Sequence, residues 1–188
     1  MTRIIAGFAG SLRLKVPPVG TRPTSDRVRE AIFSALDARG VLAGARVLDL
    51  YAGSGALGLE SASRGAAHVT LVDRANAASR IGSQNAALVR RQAPKDAQVE
   101  IVVSSQPVQS FLNAAVDSWD VVFLDPPYDL REAELLHNLE ALARHLNPDA
   151  VVVLERSARD PEPDWPEGLA AERRKDYGET AIYWLSAA

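Results

Sequence analysis

The architecture of this chain is set by one segment, RVLDLYAGSGALG, residues 46–58. Its first five residues, RVLDL, predict a short strand in which Val47, Leu48 and Leu50 are apolar. Gly53, Gly55 and Gly58 then form the pattern G-x-G-x-x-G ahead of a predicted helix. Glycines let the backbone approach a ligand closely, and a helix N-terminus offers unpaired N–H groups. The segment therefore predicts a cofactor-binding loop at the carboxyl end of a strand.

Predicted strands and helices alternate from this segment onward. That order predicts an α/β fold with a parallel sheet and helices on both faces. Two final strands joined by a tight turn add an antiparallel hairpin, so the sheet is expected to be mixed. The predicted strands are 46–50, 68–73, 99–103, 120–124, 150–154, 170–175 and 180–185, and the predicted helices are 56–64, 75–92, 108–116 and 131–146.

A separate unit precedes this alternation. Residues 3–7 and 10–16 read as a β-hairpin, because apolar and cationic side chains alternate with a period of two in its second half. Thr24 or Ser25 is a plausible N-cap for a helix that runs to about residue 37. Two strands alone are marginally stable, so the hairpin must rest on the body or be mobile. We expect residues 1–39 to be an extension and residues 40–188 the main domain.

Composition narrows the class of protein. The chain has 188 residues, 47% of them hydrophobic, with no cysteine, and its three histidines lack ligand spacing. No apolar run approaches the roughly 20 residues that span a bilayer, and no signal peptide opens the chain. We therefore expect a soluble, cytoplasmic monomer with no metal site and no membrane partner.

Charge is distributed unevenly. The net charge is −3, yet residues 1–30 hold six basic and two acidic residues, which leaves +4 there and −7 on the remainder. A basic arm on an acidic body indicates an anionic partner such as a nucleic acid. The alternative is a solvated basic surface without a partner.

A second motif, Asp125-Pro126-Pro127-Tyr128, follows the predicted strand 120–124. Ligands of open α/β sheets bind at the carboxyl ends of the strands. The Asp125 carboxylate and the Pro126 carbonyl can accept the two N–H groups of a planar exocyclic amine, and Tyr128 can stack on the ring. Such acceptors would localise the amine lone pair toward an electrophile. The alternative is a turn that merely ends a strand.

The glycine pattern alone fits both NAD and S-adenosylmethionine. Asp73 ends the next strand, where a carboxylate can hold two ribose hydroxyls in either case. Asp49 lies at the end of its strand, where it can meet a cationic ammonium or orient the loop but would repel a pyrophosphate. The Asp-Pro-Pro-Tyr motif has no role in hydride transfer. Together these residues favour methyl transfer from S-adenosylmethionine to an exocyclic nitrogen.

The two motifs in this order resemble class I methyltransferases that act on amino groups of bases. The match is closer to the bacterial 16S ribosomal RNA guanine-N2 methyltransferases that modify guanine 966. It spans nearly the whole chain and is carried by residues 3–7, 22–33, 48–60 and 123–128. The resemblance implies a Rossmann-like fold with a seven-stranded mixed sheet, S-adenosylmethionine as donor, and 16S rRNA in the small ribosomal subunit as substrate.

The resemblance also assigns site residues. It implies that Thr24 and Phe33 close over the cofactor and that Tyr51, Gly53 and Gly55 line its methionine part. It implies that Asp73 holds the ribose and that residues 125–128 hold the guanine amine. The adenine contact is expected from Ser105 or Gln106, where such enzymes often carry an acid or amide. The remaining cofactor residues are Asp49 and Asp125, and the expected RNA-binding residues are Arg3, Arg13, Lys15, Arg22 and Arg27.

Other functions stay open on the sequence. A DNA adenine-N6 or cytosine-N4 methyltransferase shares the amine-gripping motif, although 188 residues leave little room for a target-recognition region. A glutamine-N5 protein methyltransferase usually has asparagine in place of the leading aspartate. A non-catalytic cofactor-binding module for ribosome assembly and an NAD-dependent dehydrogenase are the remaining alternatives.

Overall fold

A computed structural model describes residues 1–18 and 24–188 of the chain. It confirms the predicted seven-stranded mixed sheet with helices on both faces and a small N-terminal hairpin and helix. The strands are β1 Thr2–Arg3, β2 Arg13–Leu14, β3 Arg46–Leu50, β4 His68–Asp73, β5 Glu100–Ser105, β6 Trp119–Leu124, β7 Leu146–Ser157, β8 Leu169–Tyr177 and β9 Thr180–Ala187. The helices are α1 Asp26–Arg39, α2 Ala56–Ser63, α3 Asn76–Gln92, α4 Val108–Ala114 and α5 Glu132–Ala143.

The strand order of the large sheet is β5-β4-β3-β6-β7-β9-β8. Strands β3 to β7 pair in parallel, and β9 pairs antiparallel with β7 and β8. The chain leaves β3 toward β4 and β5, then returns to β6 on the other side of β3. This reversal is a topological switch point, where ligands bind in open α/β sheets. It brings the loops after β3 and β6 side by side.

Apolar side chains cover both faces of the sheet. Val47, Phe123 and Val153 belong to the hydrophobic cluster on the face covered by α1, α2 and α3. Leu48 and Leu124 belong to the cluster on the opposite face, under α4 and α5. Successive strand residues point to opposite faces, so a central strand is apolar throughout. Whether a strand-end residue lies at an odd or an even position along its strand then decides on which face of the sheet its side chain lies.

The N-terminal hairpin is shorter than predicted and is docked on α2. The backbone N–H groups of Ile5 and Ala6 donate to the buried Glu60 carboxylate at 2.7 and 3.0 Å. The Phe8 N–H donates to the Ser63 carbonyl at 3.0 Å. Gly7 has φ +84°, and a Cβ there would lie 1.9 Å from the Ser63 carbonyl oxygen. Of the two predicted alternatives, the hairpin therefore rests on the body.

Element ends differ most around α5. The predicted helix 131–146 ends at Ala143, and β7 begins at Leu146, four residues before the predicted strand. The His145 N–H closes onto the Leu142 carbonyl at 2.8 Å, while the His145 carbonyl accepts the Trp119 N–H at 2.9 Å. The chain therefore leaves the helix in order to pair with β6. None of the helices in the described ranges is long and apolar enough to cross a membrane.

Candidate active site

Acidic residues stand at the carboxyl ends of four adjacent strands. Asp73 ends β4, Asp49 lies in β3, Asp125 follows β6 and Glu155 lies near the end of β7. Asp49 is the register partner of Phe123, and Leu124 is the register partner of Leu154. Asp125 and Glu155 come one residue after these two leucines. They therefore lie side by side, on the face of the sheet that carries α1 and α2. This row faces the switch point of the sheet.

Asp49 is the most buried of these acids, with 1% of its surface exposed. Its Oδ2 accepts the Gly58 N–H of the first turn of α2 at 2.8 Å. Burial raises the pKa of Asp49 to about 8, against the opposing effect of that hydrogen bond and with a further increase from the Asp73 charge. Asp49 was predicted either to meet a cationic ammonium or to orient the glycine loop. Its hydrogen bond to the Gly58 N–H corresponds to the second of these roles.

The glycine loop presents open backbone toward the strand ends. Gly53 has φ +55°, and a Cβ built there would meet nothing within 4 Å. Its N–H donates to Asp73 Oδ2 at 2.9 Å. At Gly55 and Gly58 a Cβ would instead lie 2.7 and 2.4 Å from Leu71, so these glycines allow α2 to pack on β4. An open glycine beside a helix whose N-cap, Gly55, carries no side chain fits a bound cofactor.

The residues predicted for the ribose and adenine lie together at the ends of β4 and β5. Asp73 and Ser105 are register partners. Asp73 Oδ1 also accepts the Ala75 N–H at 2.9 Å, which fixes its carboxylate at the start of α3. Ser105 Oγ donates to Asn76 Oδ1 at 2.8 Å, and Gln106 Nε2 donates to Ser104 at 2.8 Å. These side chains form a polar rim beside the glycine loop.

Tyr51 turns away from the glycine loop. It has φ +60°, a left-handed conformation that is uncommon outside glycine and concentrates at functional sites. Its hydroxyl accepts a hydrogen bond from Asn138 of α5. Burial, with the Glu134 charge, raises the pKa of Tyr51 to about 12, so it remains a neutral phenol. The predicted contact of Tyr51 with the methionine part of a cofactor stays a prediction.

The loop after β6 carries an exposed aromatic ring next to Asp125. Pro126 is buried, whereas Tyr128 is 51% exposed. The Pro127 carbonyl accepts the Leu130 N–H at 3.0 Å, which closes a turn around Tyr128. The ring is therefore available for stacking.

Arg156 holds the far end of this loop. It is 3% exposed, and its guanidinium donates to the Leu130 carbonyl at 3.4 Å and to Glu132 at 2.6 Å. Leu130 and Glu132 flank the start of α5. The position of Tyr128 thus depends on a buried cation that the sequence did not single out.

A single hydroxyl lies between two of the carboxylates. Thr24 Oγ1 is 2.8 Å from Glu155 Oε2 and 3.2 Å from Asp125 Oδ2. Burial raises the pKa of Asp125 well above its usual value; the nearby Glu155 charge adds to this rise, which the Thr24 hydrogen bond opposes. Thr24 thus lies on the predicted amine acceptor, and its predicted contact with a cofactor stays a prediction. Glu155 was missed, although an acid directly after the predicted strand 150–154 was the signal available.

Phe33 does not reach this site. It is fully buried, its ring centroid lies 5.7 Å from that of Phe123, and the Arg64 guanidinium lies over it at 5.0 Å. A fully buried ring offers no surface to a ligand, so the structure assigns Phe33 a packing role. Phe33 lies on the buried apolar face of α1. The helical periodicity of α1 therefore predicts its position better than the resemblance, which implied a contact with the cofactor.

The predicted RNA-binding residues lie on the exterior. Arg3 and Arg13 are exposed and directly opposite each other in the hairpin, and Lys15 and Arg27 are exposed as well. Like charges placed opposite each other are destabilising, which favours a role for them outside folding. Arg3 lies 4.0 Å from Asp26. Arg22 falls outside the described residues.

A further missed residue ties this arm to the glycine loop. Asn85 of α3 is fully buried. Its Oδ1 accepts the Lys15 N–H at 2.9 Å, and its Nδ2 donates to the Lys15 and Ser54 carbonyls at 2.9 and 2.8 Å. One carboxamide therefore fixes the end of the hairpin against the loop. No periodicity in the sequence marks such a bridge.

Comparison with known proteins gives consistent relatives. The family model described as Conserved hypothetical protein 95 matches residues 2–186. Ribosomal RNA small subunit methyltransferase D of Escherichia coli (strain K12) is 36% identical over 180 residues, which cover 95% of this chain and 86% of the relative. The solved structure of a hypothetical protein from Thermus thermophilus matches with a TM-score of 0.80 and 33% identity over 98% of each chain. Magnesium protoporphyrin IX methyltransferase of Synechocystis PCC 6803, solved with bound SAM, is similar in fold alone, with a TM-score of 0.67 and 17% identity over 86% of this chain and 79% of that chain.

Proposed function

The chain belongs to the family described as Conserved hypothetical protein 95 and to that of ribosomal RNA small subunit methyltransferase D, and we propose that it methylates ribosomal RNA. In full, it transfers a methyl group from S-adenosylmethionine to the exocyclic N2 of a guanine in 16S rRNA, guanine 966, within the small ribosomal subunit. The observation that carries the proposal is the pairing of two loops at the switch point. An open glycine loop after β3 lies beside an acid and an exposed tyrosine after β6.

The glycine loop fits the proposed cofactor. S-adenosylmethionine, when bound, supplies a methyl group that a nitrogen nucleophile takes by displacement. Gly53 and Gly55 would hold its methionine part, Asp73 its ribose, and Ser105 or Gln106 its adenine. The open space at Gly53 and the absence of a side chain at Gly55, the N-cap of α2, support this assignment.

Asp125 and Pro126 would hold the reacting amine. The lone pair of a guanine N2 is delocalised into the ring, and acceptors that bind its N–H groups localise it. Positive charge then develops on the nitrogen, and the Asp125 carboxylate stabilises that charge and accepts the proton. The raised pKa of Asp125 suits a group that takes up this proton.

Tyr128 would receive the base. A base inside an RNA fold must leave its stack to reach this loop, and an aromatic ring replaces the lost stacking with about 1–3 kcal/mol. The remaining catalysis is positioning of base and donor. Residues 1–39 form the RNA-binding extension in this proposal, with Arg3, Arg13 and Lys15 on phosphates.

Methyl transfer to defined substrates tests this function. Labelled S-adenosylmethionine is supplied with small subunits that lack the modification, with naked 16S rRNA, or with duplex DNA, and the product nucleoside is identified after digestion. We expect N2-methylguanosine from the subunits. Methyladenine in DNA would refute the rRNA substrate, and cofactor binding without transfer to any substrate would refute the enzymatic function.

The Asp125→Ala variant tests the mechanism in the same assay. We expect its rate to fall at least about 100-fold, as for other preorganised electrostatic groups, while cofactor affinity stays within a few-fold. Asp129→Ala removes an exposed acid of the same loop and serves as the matched control. Loss of cofactor binding in Asp125→Ala would make Asp125 a cofactor ligand and contradict its assigned role.

A further inference from the structure

A second carboxylate stands next to the predicted amine acceptor. Glu155 follows Leu154 of β7 just as Asp125 follows Leu124 of β6, and those two leucines are register partners. Glu155 is 8% exposed, so its carboxylate is largely removed from water. A ligand that reaches the Asp125 carboxylate therefore also comes next to the Glu155 carboxylate.

The Thr24 hydroxyl contacts the carboxylates of both acids. Its single hydroxyl proton can be donated to only one of the two carboxylates that it contacts, at 2.8 Å for Glu155 and 3.2 Å for Asp125. A carboxylate has about four lone-pair positions, so each of these acids can accept several donors at once. The site therefore presents two hydrogen-bond acceptors side by side at the edge of the sheet.

The bases differ in what they present beside the exocyclic amine. Guanine has an N1–H donor next to its N2 amine, so this edge consists of donors. Adenine has the unprotonated N1 next to its N6 amine, and cytosine has the unprotonated N3 next to its N4 amine. A carboxylate facing that neighbouring position would attract guanine and repel the lone pair of the other two bases.

Resting on the proposed function, we infer that Glu155 is a specificity-determining residue that accepts the N1–H of the target guanine while Asp125 holds its N2 amine. The pair of acids thus selects guanine over adenine and cytosine. Sites built to hydrogen-bond a substrate group reject analogues that lack it far better than apolar pockets do, because the buried partner is then left unpaired.

The test uses small subunits reconstituted with either guanine or 2-aminopurine at the position that the wild-type protein methylates. 2-Aminopurine keeps the 2-amino group but has an unprotonated N1. We expect the wild-type protein to prefer guanine in kcat/KM. Glu155→Gln is expected to lower kcat/KM for guanine about 10- to 100-fold, the range of one hydrogen bond to a charged group, and to change it little for 2-aminopurine. 2-Aminopurine also lacks O6, but this affects the wild-type protein and Glu155→Gln equally. The difference between their preferences for guanine over 2-aminopurine therefore reports on N1.

Glu140→Gln is the matched control, because it removes an exposed acid from α5. We expect it to keep both the rate and the preference of the wild-type protein. The inference is overturned if wild-type protein methylates 2-aminopurine as well as guanine, a result that does not depend on any variant folding. It is also overturned if Glu155→Gln keeps the wild-type preference, or if its main effect is a loss of cofactor affinity. Absence of N2-methylguanosine with wild-type protein would instead refute the proposed function itself.

Discussion

Replacing Asp49 with asparagine is expected to change how the stability of the protein depends on pH. Asp49 is fully enclosed, and its pKa is raised from 3.8 to about 8. Between these two values the folded protein keeps a proton that the unfolded chain releases. The contribution of protonated Asp49 to the free energy of unfolding is therefore fully present below about pH 4, and it is lost as the pH rises through about 8. Asparagine keeps an oxygen for the Gly58 N–H but has no charge to bury.

The magnitude follows from the size of the pKa shift. Each pH unit in this window lowers the free energy of unfolding of the wild-type protein by up to about 1.4 kcal/mol. Relative to a carboxyl group with an ordinary pKa, Asp49 then costs about 4 kcal/mol at pH 7. We expect the advantage of Asp49→Asn over the wild-type protein to grow by this slope from pH 5 to pH 8 and to level off above it.

Urea unfolding at pH 5, 6, 7 and 8 measures this difference. Taking the variant minus the wild-type protein cancels, at each pH, the titration of groups that do not interact with Asp49. The difference therefore reports on Asp49 together with its effect on Asp125, whose pKa the Asp49 charge raises. Asp96→Asn is the matched control, because it removes an exposed aspartate, and its difference from the wild-type protein is expected to be independent of pH.

A difference for Asp49→Asn that stays constant within about 0.5 kcal/mol across this range would refute the reasoning. It would mean that Asp49 is already ionised at pH 5. The Gly58 N–H and the start of α2 would then stabilise the anion by more than burial destabilises it.

Three further variants test the N-terminal arm. Changing both Arg13 and Lys15 to glutamine should weaken binding to small subunits and lower the slope of log K against log salt by about 1.5, measured by filter binding from low to high salt; an unchanged slope would make them plain surface charges. Asn85→Ala should cost about 2–4 kcal/mol in urea unfolding and weaken cofactor binding, because it leaves buried backbone groups of the arm and the glycine loop unpaired; intact cofactor affinity would contradict the coupling. Gly7→Ala should cost more than about 2 kcal/mol, since its Cβ would meet a carbonyl oxygen at the end of α2, whereas Gly178→Ala has open space and should cost less. Equal costs would contradict tight docking of the arm.

Local patterns in the sequence were sufficient for the order of the elements. Apolar runs such as 121–124 predicted buried strands because a central parallel strand is covered on both faces. Their alternation with helical segments implied the parallel sheet, and the final hairpin implied its antiparallel edge. The glycine motif and the acid after β6 were both readable, because each depends on residues adjacent in the chain and on the rule that ligands bind at strand ends.

Contacts between distant residues were decided only by the tertiary structure. Thr24 lies 101 and 131 positions from the two acids that it contacts, so no local pattern links them. Asn85 likewise joins the hairpin to the glycine loop across 70 and 31 positions. Phe33 shows the opposite case, in which a residue predicted for the site is held in the core by its position on the apolar stripe of α1.

The sequence by itself thus determined the fold class, the family and the acid expected to hold the amine, because those depend on short patterns and on their order along the chain. The tertiary structure decided how the carboxylates are grouped, which one is most deeply buried, and whether the basic hairpin is fixed. The physical reason is that desolvation and charge–charge repulsion depend on distance in space. A strand register that pairs Leu124 with Leu154 brings Asp125 and Glu155 together, although 29 residues separate them along the chain.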